Sequence, residues 1–216
     1  MYVDNNMSEA SQFRRFWNEL LPQLTPADLD TIDRLYPDPS TIPTSPYIEL
    51  RTGEGLGAQY KRIEAAYGHY AYVAPVRQTA HFASSAENPP PVYLYHWALP
   101  RTVIGRANHG DNMYYETFNG DITSISESQR ELSGTLHAYI TSFITTGDPN
   151  AIPGNCKDRP RWETYNPVKP GLLIFGEGNE ELIGGETAPA AKFVEDEWAR
   201  EETGFWWGKV EISQVA

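Results

Sequence analysis

The chain has 216 residues, 40% of them hydrophobic and 12% aromatic, and a formal net charge of −12 from 29 acidic and 17 basic side chains. This apolar fraction is enough for a folded core and excludes wholesale disorder, and the length suits one large domain or one and a half small ones. The acidic excess argues against a nucleic-acid partner and an anionic membrane surface, because both need clustered Lys and Arg.

Two amphipathic helices are predicted near the N-terminus, since apolar side chains recur there at intervals of three and four residues. Ser8 is expected to cap the first helix and Pro22 to end it. The second helix is predicted to begin with Thr25 as its cap and Pro26 in the first helical position, and to stop at Pro37.

A glycine-rich segment at 53–57 looks at first like a phosphate-binding loop. No apolar strand precedes it and no Gly-Lys-Ser/Thr follows, so we interpret it as a flexible lead-in to a helix over about 58–67. Pro75 is then expected to open a further helix that runs to about Phe82.

The second half of the chain contains the predicted strands. The run 92–97 is almost continuously apolar, which is typical of a strand covered on both faces, and 171–176 is a short apolar strand bounded by glycines. The longest predicted helix runs from about Glu127 to Thr146 and ends at Gly147. A last helix is expected over about 189–202, with Phe193, Val194 and Trp198 facing inward.

His109 lies on the loop that follows the first of these strands. A loop gives access to a histidine while a strand and a helix fix its position, which favours proton transfer. A lone histidine beside a glycine is nevertheless more often a turn residue. Asp111 is expected to cap a short helix that Asn119 and Gly120 terminate.

Other features carry less information about function. Cys156 is the single cysteine, so an intrachain disulfide is impossible, and its loop position indicates an incidental thiol. The five histidines have no zinc-ligand spacing, and His137 is expected to be a packed or half-exposed helix residue. No apolar run suits a transmembrane segment, and 1–6 does not resemble a signal peptide, so the localisation is left open.

Predicted helices greatly outnumber predicted strands. Two strands are too few for a self-sufficient sheet, because isolated strand pairs are marginally stable in water. The chain is therefore either an all-helical domain with additions or part of a larger protein.

Several sequence blocks, in the same order, resemble the type-B carboxylesterase/lipase family, which includes cholinesterases and fungal lipases. The segment 142–150 is similar to the family's helix-ending F-x-x-x-G-D-P-N block, and 162–165 to its W-x-x-Y block. The run 92–95 followed by His109-Gly110 resembles its penultimate strand and histidine, and Phe205-Trp206 its closing aromatic pair. The resemblance covers nearly the whole chain and points to a fungal-type member.

The chain also departs from that family at three positions. Ala74 and Thr203 stand where some members have a pair of disulfide-forming cysteines, which agrees with a chain that has one cysteine. His69 stands where members of the family often have an acidic residue after the glycine that corresponds to Gly68. The ionic contact that this acid makes in those members is therefore in doubt for this chain.

The resemblance implies an α/β fold, namely the C-terminal part of an α/β-hydrolase fold, helix-rich with few strands, in which 1–216 is a single partial domain. No G-x-S-x-G occurs in the chain, and the nearest similar segment, 131–134, lies inside the long helix and lacks the first glycine. The family's acid would fall just upstream of Met1. The central sheet and the N-terminal half are therefore expected to be missing, and to be needed for folding.

By resemblance, His109 is the catalytic histidine of a carboxylic ester hydrolase acting on a small-molecule or lipid ester. Gly110 would permit close backbone approach, and Tyr114 and Phe118 would line or buttress the site. Asp111 and Glu116 are weighed as substitute acids, but Asp111 is better explained as a helix cap and Glu116 as a surface charge. No cofactor or metal is implied, and the chain alone is expected to be inactive.

Two alternatives remain open from the sequence. One is a non-catalytic interaction module, since the family has adhesion-type members resembling neuroligins. The other is an unrelated helical domain with coincidental motifs, which the shared order of the blocks disfavours. The ester preference and the oligomeric state do not follow from the sequence, and neither does secretion, although full-length relatives are often secreted.

Overall fold

A computed structural model describes residues 3–51, 55–105 and 109–210. The chain divides into two compact units, one formed by Met1–Thr79 and Glu197–Ala216 and the other by Ala80–Asp196. The described part contains α1 (Ala10–Leu20), α2 (Pro26–Leu35), α3 (Tyr60–Gly68), α4 (Ala74–Ser84), α5 (Asn112–Glu116), α6 (Gly120–Thr123), α7 (Glu127–Thr146) and α8 (Arg200–Trp207), and the strands β1 (Tyr95–Trp97), β2 (Gly171–Phe175) and β3 (Ala191–Glu195).

Both predicted N-terminal helices are present, but the N-cap residue of the first one differs from the prediction. Helix α1 is capped at Glu9 rather than Ser8, because the side chain of Gln12 accepts the backbone N–H groups of both residues, at 2.9 Å from Ser8 and 2.8 Å from Glu9. Helix α2 begins as predicted, with Thr25 Oγ1 accepting the N–H of Asp28 at 3.2 Å. In α2 the side chain before the helix thus satisfies one of the first N–H groups, whereas in α1 a side chain of the first turn holds the two residues before the helix.

The core of the first unit is built on aromatic side chains. Trp17 and Trp206 are buried with ring centroids 4.4 Å apart, and the Trp206 indole N–H donates to the Tyr36 hydroxyl at 2.9 Å. Phe205 packs on Trp206 at 4.9 Å. The closing aromatic pair singled out in the sequence thus contributes directly to this core.

The segment between α3 and α4 is a π-helix, His69–Val73, rather than a break. His69 is 5% exposed, and its Nδ1 lies 3.0 Å from the Tyr36 hydroxyl. Burial and the positive charge of Arg77 lower the pKa of His69 to about 4. His69 is therefore a neutral, hydrogen-bonded residue of this core near pH 7.

Ala74 and Thr203, the two positions at which the family resemblance would place a cysteine pair, are both buried. The Thr203 hydroxyl is hydrogen-bonded to the guanidinium of Arg77, which also donates to the carbonyl of Trp198 at 2.7 Å. Polar contacts of Arg77 thus tie α4 to the segment that enters α8.

Gly57 makes a close backbone contact with the N-terminal segment. Its N–H donates to the carbonyl of Asn5 at 2.7 Å, and a Cβ at this position would lie 2.1 Å from the carbonyl oxygen of Met7. The predicted flexible lead-in is therefore fixed here, and α3 begins at Tyr60, two residues later than expected. Gly53 and Glu54 lie outside the described residues.

The second unit contains a three-stranded sheet in the order β1-β2-β3. Strand β1 is parallel to β2, with Tyr95 opposite Leu173, and β2 is antiparallel to β3, with Leu173 opposite Phe193. All five residues of β2 are buried. Strand β1 is shorter than predicted and only half-buried, because among the described residues it lies at the edge of the sheet.

The predicted helix over 189–202 is wrong. Ala191–Glu195 forms β3, and α8 begins only at Arg200. Phe193 is 37% exposed and Trp198 47% exposed, so neither faces inward as predicted. Pairing with the apolar strand β2 overrides the helical spacing of these side chains, since strand formation depends strongly on its neighbours.

Helix α7 has the predicted bounds. Leu132, Leu136 and Tyr139 are fully buried, and Gly147 ends the helix with φ +78°, a conformation that glycine adopts without steric cost. Phe143 continues the same helical spacing, so it is expected on this inner face, but it is 44% exposed and packs against Tyr93 at 5.9 Å.

Candidate active site

His109 lies on the turn between β1 and α5, and its side chain is exposed. Residues 106–108, which precede it, lie outside the described residues. Gly110 follows with φ +88°, where a side chain would be strained. The loop position predicted for this histidine is therefore observed, and a glycine is needed for the turn into α5.

A buried hydrogen bond joins the residues on either side of His109. The hydroxyl of Thr102 donates to the Asp111 carboxylate at 2.8 Å, and the same hydroxyl oxygen accepts the N–H of Gly105 at 3.0 Å. Thr102 and Asp111 are both buried. This bond closes the loop and positions the backbone that carries the histidine.

Asp111 stands at the N-cap position of α5, but its side chain does not cap the helix. Its backbone is already helical, with φ −62° and ψ −29°, whereas a capping side chain needs an extended backbone to reach the next N–H groups. The prediction of Asp111 as a cap is therefore wrong, and its carboxylate binds Thr102 instead.

Tyr115 connects this loop to the long helix α7. Its hydroxyl accepts the N–H of Val103 at 3.1 Å and donates to Gln129 Oε1 at 2.8 Å, while its ring lies 4.8 Å from that of Trp97. Burial raises the pKa of Tyr115 to about 12, so the hydroxyl stays protonated and remains a donor. Gln129 in turn donates to Glu181 at 3.2 Å.

A polar stripe on α7 holds the backbone of α5. The Ser133 hydroxyl donates to the carbonyl of Tyr115 at 2.8 Å, and the His137 Nδ1–H donates to the carbonyl of Glu116 at 2.7 Å. Together with Gln129 these side chains recur at intervals of four residues, the spacing of one helix face. The four-residue spacing of this polar stripe is visible in the sequence, although the apolar face of α7 is the stronger signal there.

Ser133, the nearest approach to a nucleophile motif, is fully buried in α7. Its hydroxyl is committed to a backbone carbonyl. It therefore has a structural role in the described site.

Glu116 is half-buried rather than a surface charge. Its Oε1 accepts hydrogen bonds from the hydroxyl of Tyr95 at 3.1 Å and from Asn112 Nδ2 at 2.8 Å. Burial and the Glu116 charge raise the pKa of Tyr95 to about 12. Glu116 thus links the end of α5 to β1.

Tyr114 and Phe118, the predicted lining residues, are 45% and 43% exposed. Phe118 has φ +52°, an unfavourable conformation for a bulky residue, and its ring packs on His137 at 5.9 Å. Asn119 does not simply end α5, because its side chain accepts the N–H of Asp121 at 2.8 Å and so caps α6. A strained turn therefore separates the two short helices.

A cavity of about 620 Å³ lies on another face of α7, and its lining does not include His109. Phe118, Gly134, His137 and Cys156 are among the residues that line it. Cys156 is half-buried and is a free thiol. Within the described ranges, no group of three or more His, Cys, Asp or Glu side chains could hold a metal ion, and no helix has the length and apolar character to span a membrane.

The G-D-P-N and W-x-x-Y blocks are linked by hydrogen bonds. The Asn150 side chain accepts the N–H of Trp162 at 2.8 Å and donates to its carbonyl at 3.0 Å. The Trp162 indole then donates to the carbonyl of Leu94 at 3.0 Å, next to β1. These blocks therefore support the strand that leads to His109.

The chain is similar in sequence and in fold to known proteins. Residues 44–194 match the family model described as the carboxylesterase family. The chain is 30% identical over 209 residues to Secreted lipase 4 of Gibberella zeae, covering 95% of this chain and 33% of that protein. It thus spans about a third of the length of this curated relative.

The structure is also similar to that of Aspergillus niger EstA, with a TM-score of 0.68 and 20% sequence identity, over 97% of this chain and 38% of that one. The predicted α/β-hydrolase fold, helix-rich with few strands, is confirmed. The resemblance recognised in the sequence, to fungal members in particular, is confirmed as well. By the family match over most of its length, the chain belongs to the carboxylesterase family.

Proposed function

We propose that this chain supplies the histidine of a serine ester hydrolase, and that His109 is that histidine. The observation that carries the proposal is an exposed histidine on a loop whose two sides are joined by the Thr102–Asp111 hydrogen bond. Such a loop presents an imidazole to a substrate while limiting its movement. Membership of the carboxylesterase family supplies the reaction class.

In the proposed reaction, His109 removes the proton of a serine hydroxyl as the oxygen attacks the ester carbonyl. The imidazolium then donates this proton to the departing alkoxide. An imidazole suits both steps, because its ordinary pKa of about 6.5 lies close to neutral pH. The serine, the acid that orients the imidazole and the oxyanion donors would come from polypeptide outside these 216 residues.

The proposed substrate is a small-molecule or lipid ester with an apolar part. Four large apolar side chains near His109 in the sequence are each more than 40% exposed, namely Ile104 before it and Met113, Tyr114 and Phe118 after it. These side chains offer apolar surface that an acyl chain can cover. The name of the Gibberella zeae relative, a lipase, agrees with this substrate class.

We also propose that 1–216 is a single partial domain of an intact, exported protein that needs its N-terminal half to fold. The relative that matches along 95% of this chain is named a secreted lipase and is about three times as long. Fractionating a culture that expresses the intact gene would test export. Recovery of the protein only from the cell interior would contradict it.

The test of the catalytic proposal begins with the coding sequence upstream of Met1, read for an Asn/Asp-Glu-Gly segment and a G-x-S-x-G turn. The full-length protein is then assayed on an activated ester as wild type, His109→Gln and His81→Gln. His109→Gln should lower kcat by several orders of magnitude, because triad residues act as a unit, while the control retains activity. Unchanged activity in His109→Gln would refute the proposal, and a replaced serine would favour a non-catalytic interaction module.

A further inference from the structure

The tripeptide Asn6-Met7-Ser8 is the only N-x-Ser/Thr sequence in the chain with a residue other than proline in the middle. This tripeptide is the acceptor for N-linked oligosaccharides in the secretory pathway. It contains none of the residues that the proposed ester hydrolysis uses.

The structure places Asn6 in a tight turn. The Asn6 N–H donates to the Asp4 side chain at 2.9 Å, and the Met7 N–H donates to the Asp4 carbonyl at 3.3 Å. The Ser8 hydroxyl donates to the carbonyl of Asn6 at 3.0 Å, and the Asn6 side chain is exposed. An exposed turn of this kind accommodates a bulky, solvated group.

The residues beside Asn6 anchor the turn through their backbones. The carbonyls of Asn5 and Met7 accept the N–H groups of Gly57 and Gln59, at 2.7 and 2.9 Å. The Met7 side chain is only 4% exposed. Because these contacts use backbone atoms and the buried Met7 side chain, a sugar on Asn6 would displace none of them.

We propose that Asn6 accepts an N-linked oligosaccharide when the chain is translated into the secretory pathway. The Asn6 amide nitrogen forms a bond to C1 of a sugar carried on a lipid pyrophosphate. The bond from C1 to the pyrophosphate breaks, the lipid pyrophosphate leaves, and the amide nitrogen loses one proton to the transferase. Glycosylation of Asn6 in the native host requires the export proposed above. The ability of Asn6 to accept a glycan does not depend on that proposal.

A glycan at Asn6 also has a structural consequence for the intact protein. The oligosaccharide is large and hydrated, so it excludes close packing against another polypeptide at this turn. Any partner segment must therefore contact a different surface of the first unit.

The experiment directs the full 216-residue chain into the lumen of a eukaryotic host with a supplied signal peptide. An Asn-Gly-Thr tripeptide added after Ala216 reports delivery to the lumen. The variants are Asn6→Gln, Ser8→Ala and Ser8→Thr, with Asn5→Gln as the matched control. The readouts are an endoglycosidase-sensitive mobility shift and conversion of Asn6 to aspartate on enzymatic release, detected by peptide mass spectrometry.

Wild type, Ser8→Thr and Asn5→Gln should carry two glycans, and Asn6→Gln and Ser8→Ala only the added one. A wild-type chain that is modified at the added site but not at Asn6 overturns the proposal, as does a second glycan on Asn6→Gln. These outcomes are independent of ester hydrolysis and of the native signal, so failure here leaves the catalytic proposal untouched.

Discussion

The Thr102 hydroxyl and the Asp111 carboxylate, 2.8 Å apart and both buried, join the residues before and after His109. This hydrogen bond to a carboxylate links two residues that are nine positions apart in the chain, and so it closes the loop. The conformation of the candidate catalytic loop therefore depends on two side chains that need not touch a substrate.

Replacing Thr102 by valine should loosen this loop. The change keeps the shape of the side chain but removes a hydrogen bond to a buried carboxylate, which costs about 1.5–3 kcal/mol. Hydrogen exchange of the full-length protein should show faster exchange of the Gly105 and Asp111 amides. Thr145→Val is the control, because Thr145 is exposed on α7 and bonds only to a backbone carbonyl of its own helix. Equal exchange in both variants would contradict the positioning role.

Tyr115→Phe should destabilise the second unit more than Tyr114→Phe. The Tyr115 hydroxyl satisfies both the Val103 N–H and Gln129 Oε1, and leaving such buried groups without this partner costs about 1–3 kcal/mol. Tyr114 is 45% exposed, so its change should have an effect below about 0.5 kcal/mol. Urea unfolding of both variants of the full-length protein tests the difference, and equal midpoints would argue against the proposed link between the loop and α7.

The described site was predictable in part. His109, its loop and α7 followed from the sequence, because apolar periodicity and a terminal glycine are local signals. The Thr102–Asp111 bond and the contacts of Tyr115 were not, since each joins residues whose proximity depends on the fold. The polar stripe on α7 was predictable only in part. Its four-residue spacing is visible in the sequence, but the carbonyl groups of α5 that it binds are not.

The strands were predicted less well for a physical reason. Strand β2 is apolar throughout and was recognised, whereas β3 has only five residues, Ala-Lys-Phe-Val-Glu, which show no regular alternation of polar and apolar side chains. Its state is decided by pairing with β2, a partner some 20 residues away along the chain. The π-helix at His69–Val73 gave no local signal that separates it from an ordinary helix junction.

Purified alone, the 216-residue chain should have no measurable esterase activity and should self-associate as its concentration rises. It contains no G-x-S-x-G turn, and many large apolar side chains are exposed, including Ile144 at 78%. Ile144→Lys should reduce binding of a hydrophobic dye more than Thr145→Lys, which adds the same charge without removing apolar surface. A monomeric chain that melts cooperatively, or one with His109-dependent hydrolysis of an activated ester, would contradict this prediction.

Acidification should destabilise the first unit through His69. Trp206 can only donate to the Tyr36 hydroxyl, so this hydroxyl donates in turn to His69 Nδ1, which must be unprotonated to accept. The folded pKa of His69, about 4, lies below the unfolded value of about 6.5. Stability from the neutral imidazole is therefore fully present above pH 6.5 and is lost as the pH falls toward 4.

The size of this effect follows from the two pKa values. A tenfold change in an acid constant corresponds to about 1.4 kcal/mol, so the loss between pH 6.5 and 4 should approach about 3 kcal/mol. His69→Gln should be less stable than wild type at pH 7 but should show a smaller loss over this interval, whereas His81→Gln should follow the wild-type curve. Urea unfolding of the full-length protein at pH 7, 5.5 and 4.5 measures this, because carboxylate titration affects all three proteins and cancels in the difference. Parallel curves for wild type and His69→Gln would show that His69 is not the group whose protonation destabilises the unit.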